Sequence, residues 1–191
     1  MKVLKNIFFG FIVSFLGSLP LGYLNIIGVE IISELGINSL VFYLFGIILV
    51  EAIVIYFTVI FTNELAENKK VMKGIEFFAV FFFLLIAYLF YANSGQNFEG
   101  HNYLENYVHY SPFLIGMVLC GLNFLQIPFW MGWNLYLLNA KSISLERKLK
   151  FYYILGILVG TFFGMLAVII FLNAASQNTF SFSKYTHTFF L

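Results

Sequence analysis

Five apolar runs, at about 6–33, 39–62, 75–92, 112–139 and 151–173, follow one another through this chain with only short polar connectors between them. Each is long enough to cross a hydrocarbon core about 30 Å thick, which takes about 20 residues of helix. Inside lipid the backbone must satisfy its own hydrogen bonds, so single apolar runs of this length are read as helices. Composition agrees: 61% of the residues are hydrophobic and only 10% are charged, where an ordinary soluble domain carries about 25%. Polar side chains cannot cover such a chain, and lipid is its expected solvent. No connector has room for a soluble domain, so the reading is one transmembrane domain, 1–191.

The N-terminus has the basic and apolar look of a signal peptide, but the apolar stretch runs on to about residue 32 and more spans follow, so it is read as the first transmembrane helix. Basic residues set the orientation. Lys2 and Lys5 precede the first run; Lys69, Lys70 and Lys73 lie between the second and third; Lys141, Arg147, Lys148 and Lys150 lie between the fourth and fifth; Lys184 alone lies on the other side. The N-terminus is therefore expected in the cytoplasm. The net charge of +1 and the absence of a basic stripe give no sign of nucleic-acid binding. Cys120 is the sole cysteine, which excludes an internal disulfide and a thiolate-built zinc site.

The fifth run resembles the second. With 42–63 set against 152–173, Tyr43 meets Tyr153, Gly46 meets Gly156, Asn63 meets Asn173, and Glu51 falls opposite Thr161. The first and fourth runs each carry a mid-span proline among glycines and amides, Pro20 in one and Pro128 in the other. Proline removes a backbone donor and breaks the helix ladder. The expected fold is an all-α integral membrane protein with five clear transmembrane helices. They form two inverted three-helix repeats, about 6–92 and 112–191, the second incomplete, with broken first and fourth helices. That scheme calls for a sixth span. The tail beyond 173 is too polar to cross until its last residues, which read as the start of one.

Chemistry concentrates at the breaks and at one carboxyl. A broken helix offers free N–H groups on one side and free C=O groups on the other, suited to an anion and a cation respectively. The amides Asn25, Asn123, Gln126 and Asn134 lie beside Pro20, Gly22 and Pro128. Glu51 sits near the middle of the second run, where a carboxylate costs about 2.5–3.5 kcal/mol on insertion scales and by default marks an ion or substrate pathway. Against these stand blander readings: a neutral structural carboxyl, simple proline kinks, and Gly156, Gly160 and Gly164 as a close-packing face within the fold or between protomers. Glu30 reads as an interfacial residue. Trp130 and Trp133 read as packing or lipid-facing groups and Cys120 as a small buried one. His101, His109 and His187, with Glu99 and Glu105, read as solvated loop residues with no metal-binding pattern.

At these residues the chain resembles the LysE family of bacterial amino-acid exporters. The family's proline–glycine break followed by asparagine is similar to Ser18-Leu19-Pro20-Leu21-Gly22-Tyr23-Leu24-Asn25, with Tyr23 where a second proline is usual. Its amide-and-proline segment is similar to Asn123, Gln126, Ile127, Pro128, Phe129 and Trp130, and an acidic residue in a branch of the family resembles Glu51. The resemblance implies a six-helix transporter in the bacterial cytoplasmic (inner) membrane. It would export amino acids or small zwitterionic metabolites, driven by an ion gradient. Pro20, Gly22, Asn25, Asn123, Gln126, Pro128 and Asn134 would then bind substrate, and Glu51 would hold the substrate ammonium or couple a proton or cation. The expected partners are the lipid bilayer, an amino-acid substrate and the coupling ion, with a second copy of the chain as a further option. No cofactor, nucleotide-binding or catalytic motif is present in the sequence, and an enzyme is not expected. Two other readings stand beside this one: a metal-ion exporter of the same superfamily, and a truncated paralogue that does not transport.

Overall fold

A computed structural model describes residues 2–20, 22–65, 77, 81, 84, 111–146 and 148–189, the side chains of 63–65 and 177–189 excepted. The described residues are all helical or connecting, with no strand among them. In chain order the helices are α1 (Lys2–Gly17), α2 (Tyr23–Leu65), α3 (Pro112–Gly121), α4 (Gln126–Asn139) and α5 (Leu149–Phe189). Of the expected third span, 75–92, only Phe77, Phe81 and Leu84 are among the described residues, and His101, His109, Glu99 and Glu105 lie outside them.

Two segments are long and apolar enough to cross a membrane, Tyr23–Thr62 and Leu149–Ser176; a third follows if α3 and α4, bent by 70°, count as one broken span. This differs from five clear spans in three ways. The run at 6–33 is two helices, because the ladder stops at Gly17 and restarts at Tyr23. The 16 residues of α1 reach about 24 Å, short of the hydrocarbon core on their own. The polar connector expected at 33–38 is absorbed into α2, which is interrupted there only by Gly36 at φ 79°, ψ 176°. Glycine without a Cβ adopts that conformation freely, so the chain turns at one residue rather than through a loop. The tail continues α5 to Phe189 instead of opening a separate segment.

Two helix pairs bring backbones into close approach. A Cβ at Gly10 would strike the Tyr153 carbonyl, and one at Gly156 would strike that of Ile7, so α1 and α5 touch through glycine from both sides. Gly160 and Gly164 continue the contact against Phe11 and Phe15. The glycine stripe therefore packs inside the fold, the role small residues take where lipid supplies no hydrophobic drive. Likewise a Cβ at Gly46 would strike the Phe113 carbonyl, and one at Gly116 that of Tyr43, which seats α2 on α3. From Gly156–Ile7 through Gly160–Phe11 to Gly164–Phe15 the contacts advance together, so α1 runs parallel to α5; Gly46 lies against Phe113 and, further along both helices, Glu51 lies near Cys120, so α2 beyond Gly36 runs parallel to α3.

Two apolar clusters form the core. One gathers Val13, Ile55, Val59, Trp130, Leu137, Ile143, Leu145, Tyr153, Ile154 and Ile157. The other gathers Ile31, Leu40, Tyr43, Leu44, Ile47, Cys120, Met165 and Ile169. Phe8, Phe42, Phe57, Leu114, Phe163 and Phe171 are among the many large apolar side chains left on the outer surface. An apolar exterior of this extent suits a lipid solvent.

Candidate functional site in the helix breaks

Glu51 lies between the two clusters. Its position on α2 follows Ile47 of one cluster and precedes Ile55 of the other by one helical turn each, and it is only 8% exposed. The Thr161 hydroxyl of α5 and the Trp130 indole of α4 come within interaction range of its carboxyl. Thr161 also shares a hydrogen bond with the Ser14 hydroxyl of α1. The polar side chains of Ser14, Thr161 and Glu51 thus link α1, α5 and α2. Glu51 Oε2 has no partner among the described residues. A buried polar atom without a partner is costly, and here it belongs to the one buried carboxyl among the described residues.

Each break is closed by one amide side chain. At the first, Asn25 Nδ2 donates to the carbonyls of Ser18 (3.0 Å) and Pro20 (2.9 Å). At the second, Gln126 Nε2 donates to the Cys120 carbonyl at 2.9 Å. These are the carbonyls that lose their helical partner where the ladder stops. The same amides expected to bind substrate thus satisfy the backbone that the breaks expose, and Asn25 Oδ1 stays buried without a partner among the described residues.

The two breaks also meet. The Phe129 ring lies over Gly17, where a Cβ would come within 2.9 Å of it. The Tyr23 hydroxyl donates to the Leu119 carbonyl at 2.8 Å. Tyr23 ties the start of α2 to the end of α3.

A second polar group lies one helical turn or more beyond Glu51. Asn134, fully buried, accepts the Tyr153 hydroxyl at 2.9 Å and donates weakly to Thr58 Oγ1 at 3.4 Å. On the other side, the Tyr43 hydroxyl donates to the Leu24 carbonyl at 3.0 Å. Both tyrosines reach 19 residues back, onto the helix that follows a break.

Of the residues expected from sequence, Glu51, Asn25 and Asn134 are buried, Gln126, Asn123 and Pro128 are half-buried, and Pro20 and Gly22 are exposed. Glu51 joins Gln126 through Cys120, whose thiol faces the Gln126 carbonyl oxygen at 3.7 Å and interacts with Glu51. Ser14, Thr58, Trp130 and Tyr153 enter the polar network without having been singled out for it. The only earlier sign was at Thr161, which the alignment sets opposite Glu51. A hydroxyl in a lipid-soluble helix is common, and its partner is on another helix, so a single sequence does not flag it.

No family model, no characterised protein and no solved structure matches this chain. The functional reading therefore rests on its own residues and their geometry.

Proposed function

We propose that this protein is a secondary transporter, exporting amino acids or small zwitterionic metabolites across the cytoplasmic membrane by alternating access. The observation that carries the reading is the buried carboxyl of Glu51, held by Thr161 and Trp130 beside two broken helices. Transporter sites lie near the bilayer midplane where discontinuous helices of two repeats meet.

The reciprocity of the contacts supports an inverted repeat. Tyr43 reaches Leu24, and Tyr153 reaches Asn134. Gly46 approaches Phe113 as Gly156 approaches Ile7, and Gly116 faces Tyr43 as Gly10 faces Tyr153. One pairing of α1 with α3 and of α2 with α5 relates all four. On this reading α1 and the first part of α2 form a broken first span, and α3 with α4 forms its counterpart. The parallel sense of α2 and α3 requires one return crossing, which the sequence supplies in the apolar run 75–92. The first cluster, near Lys5, Lys141 and Lys148, is then the cytoplasmic seal, and the second is the outer seal. Glu51 between them is occluded from both sides, as a coupling or substrate-binding carboxyl is at one stage of the cycle.

The test is amino-acid efflux from preloaded cells expressing this chain, compared with Glu51→Gln. Efflux of particular amino acids that is lost in the variant supports the proposal. Absence of efflux from a correctly inserted protein removes it.

A further inference from the structure

We infer that Cys120 lines the cargo site beside Glu51, so that bound cargo covers its thiol. The inference rests on the transporter reading above and adds to its site a residue that the sequence marks only as small and buried.

The correspondence of the two halves is the first argument. Gly10 meets the Tyr153 carbonyl as Gly116 meets that of Tyr43, and Gly156 meets that of Ile7 as Gly46 meets that of Phe113. These contacts match α1 to α3 and α5 to α2. Ser14 stands one helical turn after Gly10, and Cys120 stands one turn after Gly116. The same matching therefore carries Ser14 onto Cys120, as it carries Thr161 onto Glu51. The side-chain contacts obey it: Ser14 shares a hydrogen bond with Thr161, and Cys120 interacts with Glu51. Since Glu51 also reaches Thr161, the four side chains form one layer about the proposed axis, and all four are buried. Inverted-repeat transporters hold cargo at the repeat interface, beside their discontinuous helices. Cys120 is one residue from the end of α3, and Ser14 is in the last turn of α1.

The two sides of this layer differ, and the difference places the cargo. Ser14 and Thr161 satisfy each other. On the other side Glu51 is only 8% exposed, and its Oε2 has no partner among the described residues. A buried carboxyl oxygen calls for a donor or a cation. The thiol beside it is a weak donor, so it leaves that oxygen open where a hydroxyl would compete for it. The thiol also faces the Gln126 carbonyl oxygen at 3.7 Å, and Gln126 Nε2 donates to the Cys120 carbonyl at 2.9 Å. Cys120 thus adjoins both the carboxyl with the open oxygen and the amide that closes the second break. Cargo that completes Glu51 on this side lies against the thiol.

Cys120 is the sole cysteine of the chain, so its alkylation reads the site directly. The experiment uses the purified full chain in proteoliposomes. N-ethylmaleimide is added with each of the twenty standard amino acids in turn. Intact mass follows alkylation, and efflux is measured in the same preparation. The control is Leu40→Cys on a Cys120→Ala background. Leu40 belongs to the same apolar cluster as Cys120 but lies about 16 Å from Glu51 along α2. An exported amino acid, at about ten times its half-saturating concentration, is expected to slow alkylation of Cys120 by about tenfold and to leave that of Leu40→Cys much less changed. Alkylation of Cys120 is expected to stop efflux, and any efflux that remains in Cys120→Ala to be insensitive to the reagent. Equal protection at Leu40→Cys reports closure of the seal rather than contact and overturns the inference. So does a thiol that the exported amino acid does not protect, or one that reacts only after denaturation, in proteoliposomes where efflux runs; the transporter reading then stands. If no amino acid leaves proteoliposomes made from monodisperse protein under an imposed ion gradient, the transporter reading fails and the inference with it.

Discussion

The side chains of Glu51 and Thr161 come within interaction range of each other, and these two residues occupy the same position when 42–63 is laid on 152–173. Two residues related by a two-fold axis touch each other only if they lie close to it. The pair therefore marks where the proposed axis passes, and it makes the site asymmetric there, with a carboxyl on one helix and a hydroxyl on the other.

That asymmetry leads to the first prediction. Thr161→Val keeps the shape of the side chain and removes both its polar contact with Glu51 and its hydrogen bond with Ser14. Efflux should fall by about tenfold or more for a lost charge-assisted bond of about 1.5–3 kcal/mol, while Thr161→Ser should retain most of it. Initial efflux rates in the two variants check this, with equal expression as the control.

The glycine contacts separate by position. Gly10→Val, Gly46→Val or Gly156→Val drives a side chain into the backbone of the facing helix, and overpacking of this kind costs about 1–3 kcal/mol. Gly132, on α4, has nothing within 4 Å of an added Cβ, so Gly132→Ala should be neutral or slightly stabilising. Thermal melting in detergent should place the first three well below the parent and the last at or above it.

Asn25 is needed for its N–H groups. Asn25→Asp offers the carbonyls of Ser18 and Pro20 only acceptors. It should destabilise more than Asn25→Ala, which costs about 1–3 kcal/mol for the carbonyls left unpaired. An Asp variant as stable as the parent, measured in the same melting assay, contradicts the capping role.

Tyr153→Phe leaves Asn134 Oδ1 buried with its hydroxyl donor gone. Interhelical bonds of this kind contribute about 0.6–2 kcal/mol, so a modest loss of stability is expected. The corresponding loss for Tyr43→Phe should be similar, since its bond to Leu24 is of the same length within 0.1 Å. Parallel melting curves of the two variants make the comparison.

Asn6 holds the connector after α4. Its side chain donates to the carbonyls of Ser144 (2.7 Å) and Leu149 (2.8 Å) and accepts the Ser144 N–H at 3.1 Å. Asn6→Ala should free this connector and speed tryptic cleavage at Lys141 and Lys148. Cleavage should occur in everted vesicles and not in intact spheroplasts. The opposite sidedness would reverse the orientation drawn from the lysines.

Much of this protein follows from local chemistry that a single sequence carries. Continuous apolar runs require helices in lipid because the backbone has no other partner there, and the described residues are helical throughout their long segments. Pro20 and Pro128 mark interruptions because proline lacks the N–H, and the chain does break at Gly17–Tyr23 and Gly121–Gln126. Glu51 stood out because a carboxyl there is costly. Element boundaries were less legible. Gly36 turns the chain at one residue, so a polar connector became part of α2. The tail joined α5 because nothing in it stops a helix. What tertiary structure alone decided is which groups meet. The donors that reach Glu51 come from residues 79 and 110 positions away in sequence, and hydroxyls and an indole carry no sign of their partners until helices pack. Packing also assigned the amides: Asn25 and Gln126 turn to carbonyls within their own breaks, because carbonyls released from the regular helix ladder have room for a side-chain donor.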